Sequence, residues 1–288
     1  MGLPKLPSES RPQPSVPRPL QQRLPHQRLQ RHTGIERALR LVSLPILLFL
    51  LLPLLALLLR VTPGDFIANL QHKNVLQAVW LSLSTSALTV LFGVSAGLPL
   101  AWLLARHKLW GRAWIDTLIE LPTVMPPTVA GIALLMAFGR NGLLGRYLDT
   151  LGISIAFSTI AVVMAQMFVS VPFFIKSATT GFAEIDKEYE EAASVDGASP
   201  LLIFWRITMP LASRSLLTGA VLTWARALGE FGATILFAGN FPGRTQTMPL
   251  AIYVGFELDL NVAISLSAIL LVVSFAVLFV VKRLLSKE

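Results

Sequence analysis

Arg226 and Glu230 are the residues whose type and spacing most call for a chemical explanation, because they stand four apart within 216–238, a stretch that is otherwise largely apolar. A single charge at the centre of a membrane helix costs about 2.5 to 3.5 kcal/mol on insertion scales, so each must face a partner or a polar cavity. At a spacing of four they are neighbours on one helix face. Two readings stay open. Arg226 supplies positive potential to an anion crossing the bilayer while Glu230 holds its guanidinium, or the two neutralise each other and stabilise helix packing or a subunit interface. The small residues around them, Ala225, Ala227, Gly229, Gly232 and Ala233, allow close helix approach or mark a mobile gate.

Other chemistry is absent from the sequence. His26, His32, His72 and His107 are scattered without metal-site spacing, and there is no cysteine for a disulfide, a thiolate site or a nucleophile. No GxxxxGK[ST], HExxH or GxSxG pattern occurs, so the chain has no P-loop and offers no catalytic site and no metal site.

The elements that must carry Arg226 and Glu230 follow from composition. Of 288 residues, 54% are hydrophobic and only 14% charged, with a mean hydropathy of +0.66, which excludes an ordinary soluble domain. About 20 apolar residues span the hydrocarbon. The sequence predicts an all-α, polytopic membrane protein with six such segments, near 41–59, 75–104, 119–138, 159–175, 216–238 and 262–281. Pro122, Pro126 and Pro127 lie at the start of the third, either as a plain helix start or as a kink. Ser82, Ser84 and Ser86 in the second are spread over more than one face and carry no pathway role.

Lys and Arg set orientation. With the N-terminus inside, 18 of the 24 basic residues fall in cytoplasmic segments. Only Arg60, Lys73, Arg140, Arg146 and Arg244 fall outside, and Arg226 sits within a span. Both termini are therefore expected in the cytoplasm, and the excess of positive charge is explained without nucleic acid. Residues 1–40, with seven prolines and eight basic residues, read as a disordered cytoplasmic arm ahead of a permease domain over 41–288. Such an arm suits anionic headgroups or simply helps to set topology.

The loop between the fourth and fifth spans, about 182–212, is longer than a connector needs to be. It reads as two short helices. Ile185, Tyr189, Ala192 and Ala193 share one apolar face of the first. Gly197 either ends it in a left-handed conformation or lets backbones approach closely, Ser199 followed by Pro200 starts the second, and Pro210 stops that one. An elbow of this kind is shaped to be held in a partner's groove.

Glu191, Ala192, Ala193, Gly197, Ile207 and Pro210 together resemble the EAA loop of binding-protein-dependent ABC importer permeases, with Met209 where the family has Leu. The stretch WARALGEFGATILFAGNFPGRTQTMPLAIY resembles the fifth span and following loop of the oxyanion permeases, more the molybdate branch than the sulfate branch. The resemblance covers roughly residues 70–285 and implies several things. The elbow is a coupling helix that docks on a separate cytoplasmic ATPase, which binds the ATP and Mg, while this chain itself holds no cofactor and is no enzyme. A second copy completes the pathway, an extracytoplasmic binding protein delivers the substrate, and the chain resides in a bacterial or similar plasma membrane. The cargo is molybdate or tungstate. A sulfate or thiosulfate permease and an ion-coupled secondary transporter are the alternatives.

Overall fold

A computed structural model describes Gly2 and residues 29–285, and among these residues every regular element is a helix. The chain divides into two compact units, residues 1–53 and 54–288. Helix α1 (Leu29–Arg60) begins in the first and ends in the second. This helix reaches twelve residues into the stretch expected to be an arm; the rest of that arm, except Gly2, lies outside the described residues. From Leu39 to Arg60 its mean hydropathy is 2.8 and nearly all of its side chains are exposed, as suits a helix that spans a membrane. Pro45 and Pro53 sit inside it.

The second unit is built on three helices, α3 (Lys73–Arg106), α7 (Thr159–Ala183) and α10 (Met209–Leu228), with α7 packed against both of the others. Glycines bring the backbones together. A Cβ at Gly219 of α10 would lie 2.8 Å from Ser177 Cβ, and one at Gly97 of α3 would lie 3.0 Å from the Phe174 ring, both on α7. Polar groups stitch the same contacts directly. The Thr89 hydroxyl donates to Gln166 Oε1 at 3.0 Å, and Thr223 donates to the Ser170 carbonyl at 3.2 Å. Around this centre stand α2 (Pro63–Gln71), α4 (Arg112–Val124), α5 (Pro127–Phe138), α6 (Gly145–Thr150), α8 (Lys187–Val195), α9 (Pro200–Ile203), α11 (Gly232–Phe237), α12 (Met248–Leu258) and α13 (Leu260–Leu285).

Two of the six expected spans are broken in a way the sequence does not predict. Among the described residues four helices are long and apolar enough to cross a membrane, α1, α3, α7 and α13, or five when α4 and α5 count as one bent span. The expected third span is that pair, turned by 115°. Met125 (ψ 141°) and Pro126 (ψ 134°) are extended because each precedes a proline, whose ring disfavours helical geometry in the residue before it. Pro126 thus breaks one helix and Pro127 starts the next. The expected fifth span, 216–238, is divided between the end of α10 and α11, with Gly229–Phe231 as the break. Gly131 of α5 and Gly232 of α11 let the two shorter helices touch: a Cβ at Gly131 would meet the Ala233 carbonyl oxygen at 2.9 Å, and one at Gly232 would meet Pro127 Cβ at 2.6 Å.

Of the three serines in α3, Ser82 is fully buried and accepts the Met248 N–H at 2.6 Å, which satisfies the first backbone donor of α12. Ser84 and Ser86 bond back to carbonyls of their own helix.

Candidate functional site

The elbow begins where α7 ends. Buried Ile185 leads into α8, which Gly197 closes in the left-handed conformation, φ 85°. The Gly197 N–H donates to the Ser194 carbonyl and the Ala198 N–H to the Ala193 carbonyl, each at 3.0 Å, so two orphan carbonyls of the helix end are satisfied. A Cβ at Gly197 would meet nothing within 4 Å, so the backbone angle and not crowding calls for glycine. Ser199 then accepts the Leu202 N–H at 3.4 Å, and Pro200 starts α9.

Pro210 does not stop the second helix. After four residues α9 passes into a π-turn, Phe204–Thr208, which runs on into α10 without a break. Proline lacks an N–H and its ring would strike the carbonyl four residues back; the wider turn, in which the Met209 N–H reaches the Phe204 carbonyl, makes room for it. The elbow is therefore the head of a rod that extends through α10.

The faces of α8 also differ from expectation. Tyr189 and Ala192 point outward, and Glu190 is the residue that turns in. Its carboxylate pairs with Arg106 Nη2 at 2.8 Å and accepts the Thr208 hydroxyl at 2.8 Å, while Arg106 Nη1 donates to the Ile185 carbonyl at 3.0 Å. The Arg106 side chain is 7% exposed. One ionic clamp therefore joins the end of α3, the head of α8 and the π-turn. Trp102 and Phe182 close over Phe204 beside it. Sequence spacing has no signal for a pair 84 residues apart.

The residues singled out in the sequence separate into two places. Glu191, Ala192, Ala193 and Gly197 come together on the elbow, with Glu191, Ala192 and Gly197 exposed; Ile207 and Pro210 lie on the π-turn and at the start of α10. Arg226 and Glu230 lie at the other end of α10, about 24 Å from Pro210 at 1.5 Å per residue. Arg226 Nη1 and Glu230 Oε2 are 2.6 Å apart, with Glu230 1% exposed and Arg226 31% exposed. The second Glu230 oxygen accepts the Ala233 N–H at 2.9 Å in the first turn of α11. Glu230 thus neutralises the arginine and caps the helix that follows the break. Among the described residues no group of three or more His, Cys, Asp or Glu side chains is placed to hold a metal.

The described residues thus form a bundle of broken apolar helices with a clamped elbow at one end. Residues 97–287 match the family described as the inner membrane component of binding-protein-dependent transport systems, and the chain belongs to it as a multi-pass inner-membrane permease. It is 43% identical over 244 residues to the molybdenum transport system permease protein ModB of Mycobacterium tuberculosis, covering 84% of this chain and 92% of that one. A putative molybdenum transport system permease protein of Bacillus subtilis, YvgM, is 42% identical over 77% of this chain and 96% of its own length. A probable sulfate transport system permease protein of Zygnema circumcarinatum is 35% identical over 84% and 85%. The fold is shared with a bacterial ABC transporter involved in alginate import, at a TM-score of 0.69 and 18% identity over 89% of this chain and 98% of that one.

Proposed function

We propose that this permease forms the translocation pathway of an ABC importer for molybdate, with tungstate as an equivalent cargo, driven by a separate ATPase subunit that holds the ATP and Mg. The observation that carries the cargo is the 43% identity across nearly the whole length of a molybdenum permease, against 35% for the sulfate relative. Support for the ATPase partner comes from the elbow: Tyr189, Val195, Leu201 and Leu202 are exposed large apolar side chains beside exposed Glu191, a surface that suits burial in a partner's cleft.

In this reading both termini are cytoplasmic, two copies of the chain face each other, and a binding protein loads the opposite side. Closure of the ATPases pulls on the elbows. The Glu190–Arg106 clamp passes the pull to α3, and the unbroken run from α9 into α10 passes it to the break before α11. The coupling is reciprocal, so a loaded binding protein also promotes ATPase closure.

The test is uptake by proteoliposomes holding this permease with its ATPase and binding protein, given labelled molybdate or sulfate with and without ATP. ATP-dependent molybdate uptake that resists excess sulfate is expected. Sulfate uptake moves the chain to the sister branch, the second reading that the 35% relative favours; uptake indifferent to ATP points to an ion-coupled carrier and sinks the importer.

A further inference from the structure

Arg226 is balanced by Glu230, whereas other arginines carry positive charge that no carboxylate neutralises closely. Such arginines lie at the far end of α7 from the elbow. The elbow follows the C-terminus of α7, and Phe157 immediately precedes its N-terminus; 25 residues of helix, about 37 Å, separate the two. That length crosses a bilayer. Beside Phe157 a hollow of about 390 Å³ opens between three loops, lined by Arg140, Ser154, Ala156, Phe157, Phe241 and Arg244.

We propose that this hollow is an anion site, where a tetrahedral dianion of the molybdate and sulfate class is held between the guanidinium groups of Arg140 and Arg244 at the outer mouth of the pathway. The inference rests on the proposed importer reading for its cargo and for the side of the membrane. Arg244 has no acidic partner among the described residues. Arg140 has only the exposed Asp149 carboxylate at 3.4 Å, a long pair that leaves its other donors available. Planar guanidinium forks match the oxygens of such an anion in pairs, and the Ser154 hydroxyl adds a donor.

The floor is preformed. Phe157 is the one non-glycine residue with positive φ among those described, at 61°, and its N–H is tied to the Phe237 carbonyl at 3.2 Å. Its ring meets Phe241 edge to face at 6.4 Å. Between them Gly239, φ 74°, leaves room that a Cβ would fill, 2.8 Å from the Phe241 ring and 3.1 Å from that of Phe157. The Arg244 backbone is pinned on both sides: its N–H donates to the Phe241 carbonyl at 3.1 Å, and its carbonyl accepts the Thr159 hydroxyl at 2.9 Å. A bulky, strained side chain held in this way marks a loop shaped for a purpose beyond connection. The hollow is open to solvent, so an anion can enter and leave it, as a step on a transport path requires.

Tungstate is the probe, since its metal scatters anomalously. Crystals of the complete transporter soaked in tungstate should show anomalous density between Arg140 and Arg244 that is lost in Arg244→Gln. In proteoliposomes saturated with loaded binding protein, Arg244→Gln should lower the maximal ATP-driven uptake about tenfold, as expected for a lost pair of charge-assisted hydrogen bonds. Arg244→Lys should fall between the two, and the half-saturating concentration of binding protein should not move. If that concentration rises while the maximal rate holds, the arginines grip the binding protein and the anion site is overturned. Unchanged uptake with no density overturns it as well. A wild-type complex that imports no oxyanion refutes the cargo assignment; the density then decides alone, its presence sustaining an anion site and its absence ending the proposal.

Discussion

Glu190 and Glu191 are adjacent in the chain and opposite in environment. Glu190 neutralises an almost fully buried arginine, whereas Glu191 faces outward. Removing a carboxylate that pairs with a buried cation leaves the cation desolvated and unpaired. Glu190→Ala should therefore destabilise the folded permease by about 1 to 3 kcal/mol, discounted for the partial exposure of the glutamate, as read by thermal unfolding in detergent. Glu191→Ala should leave unfolding unchanged and weaken copurification with the ATPase. Equal loss of stability in both variants would remove the division of labour between them. Arg226→Gln strips the charge partner from Glu230, which is buried and also caps α11. We expect reduced amounts of folded permease, measured by size-exclusion chromatography after extraction. Normal assembly with abolished uptake would instead give Arg226 to the pathway.

Among the elements, the elbow depends on a backbone angle. Gly197 has open space around it but a left-handed φ, so a β-branched side chain there costs about 1 to 2 kcal/mol of local strain, while Asn is tolerated. Gly197→Val should uncouple ATP hydrolysis from uptake, and Gly197→Asn should keep most transport. If the two behave alike, side-chain bulk against a partner governs the position and the angle does not. The contact between α5 and α11 has the reverse character: Gly131 and Gly232 are glycine because the neighbouring backbone or proline ring occupies the Cβ position. Overpacking of this kind typically costs about 1 to 3 kcal/mol. Gly131→Leu should lower thermal stability by that amount.

For the whole molecule, the absence of cysteine makes orientation accessible to labelling. Val195 on the elbow and Leu143 in the loop after α5 are 87% and 74% exposed, so single cysteines there present thiols to solvent. In intact spheroplasts a membrane-impermeant maleimide should label Leu143→Cys and leave Val195→Cys untouched until the membrane is opened. The opposite pattern would invert the topology read from the basic residues.

Much of the class of this protein was legible in the sequence. Composition demands a membrane, the distribution of Lys and Arg offers an orientation, and the spacing of Glu191, Ala192, Ala193 and Gly197 marks an elbow, because hydropathy, charge and the glycine at a helix end are local properties that survive without a fold. Tertiary structure decided what depends on distant partners. It placed Glu190 against Arg106, 84 residues away, and it gave Glu230 a second role as the cap of α11. Broken spans belong to the same category. Pro126 and Pro127 are visible in the sequence, but whether they start a helix or turn a span through 115° depends on α5 finding the glycine face of α11. Pro210, a helix stop by its own chemistry, became part of a continuous rod because a π-turn could widen around it. Local rules fix the kind of element; packing, which pairs residues remote in sequence, fixes where each element bends and which charges meet.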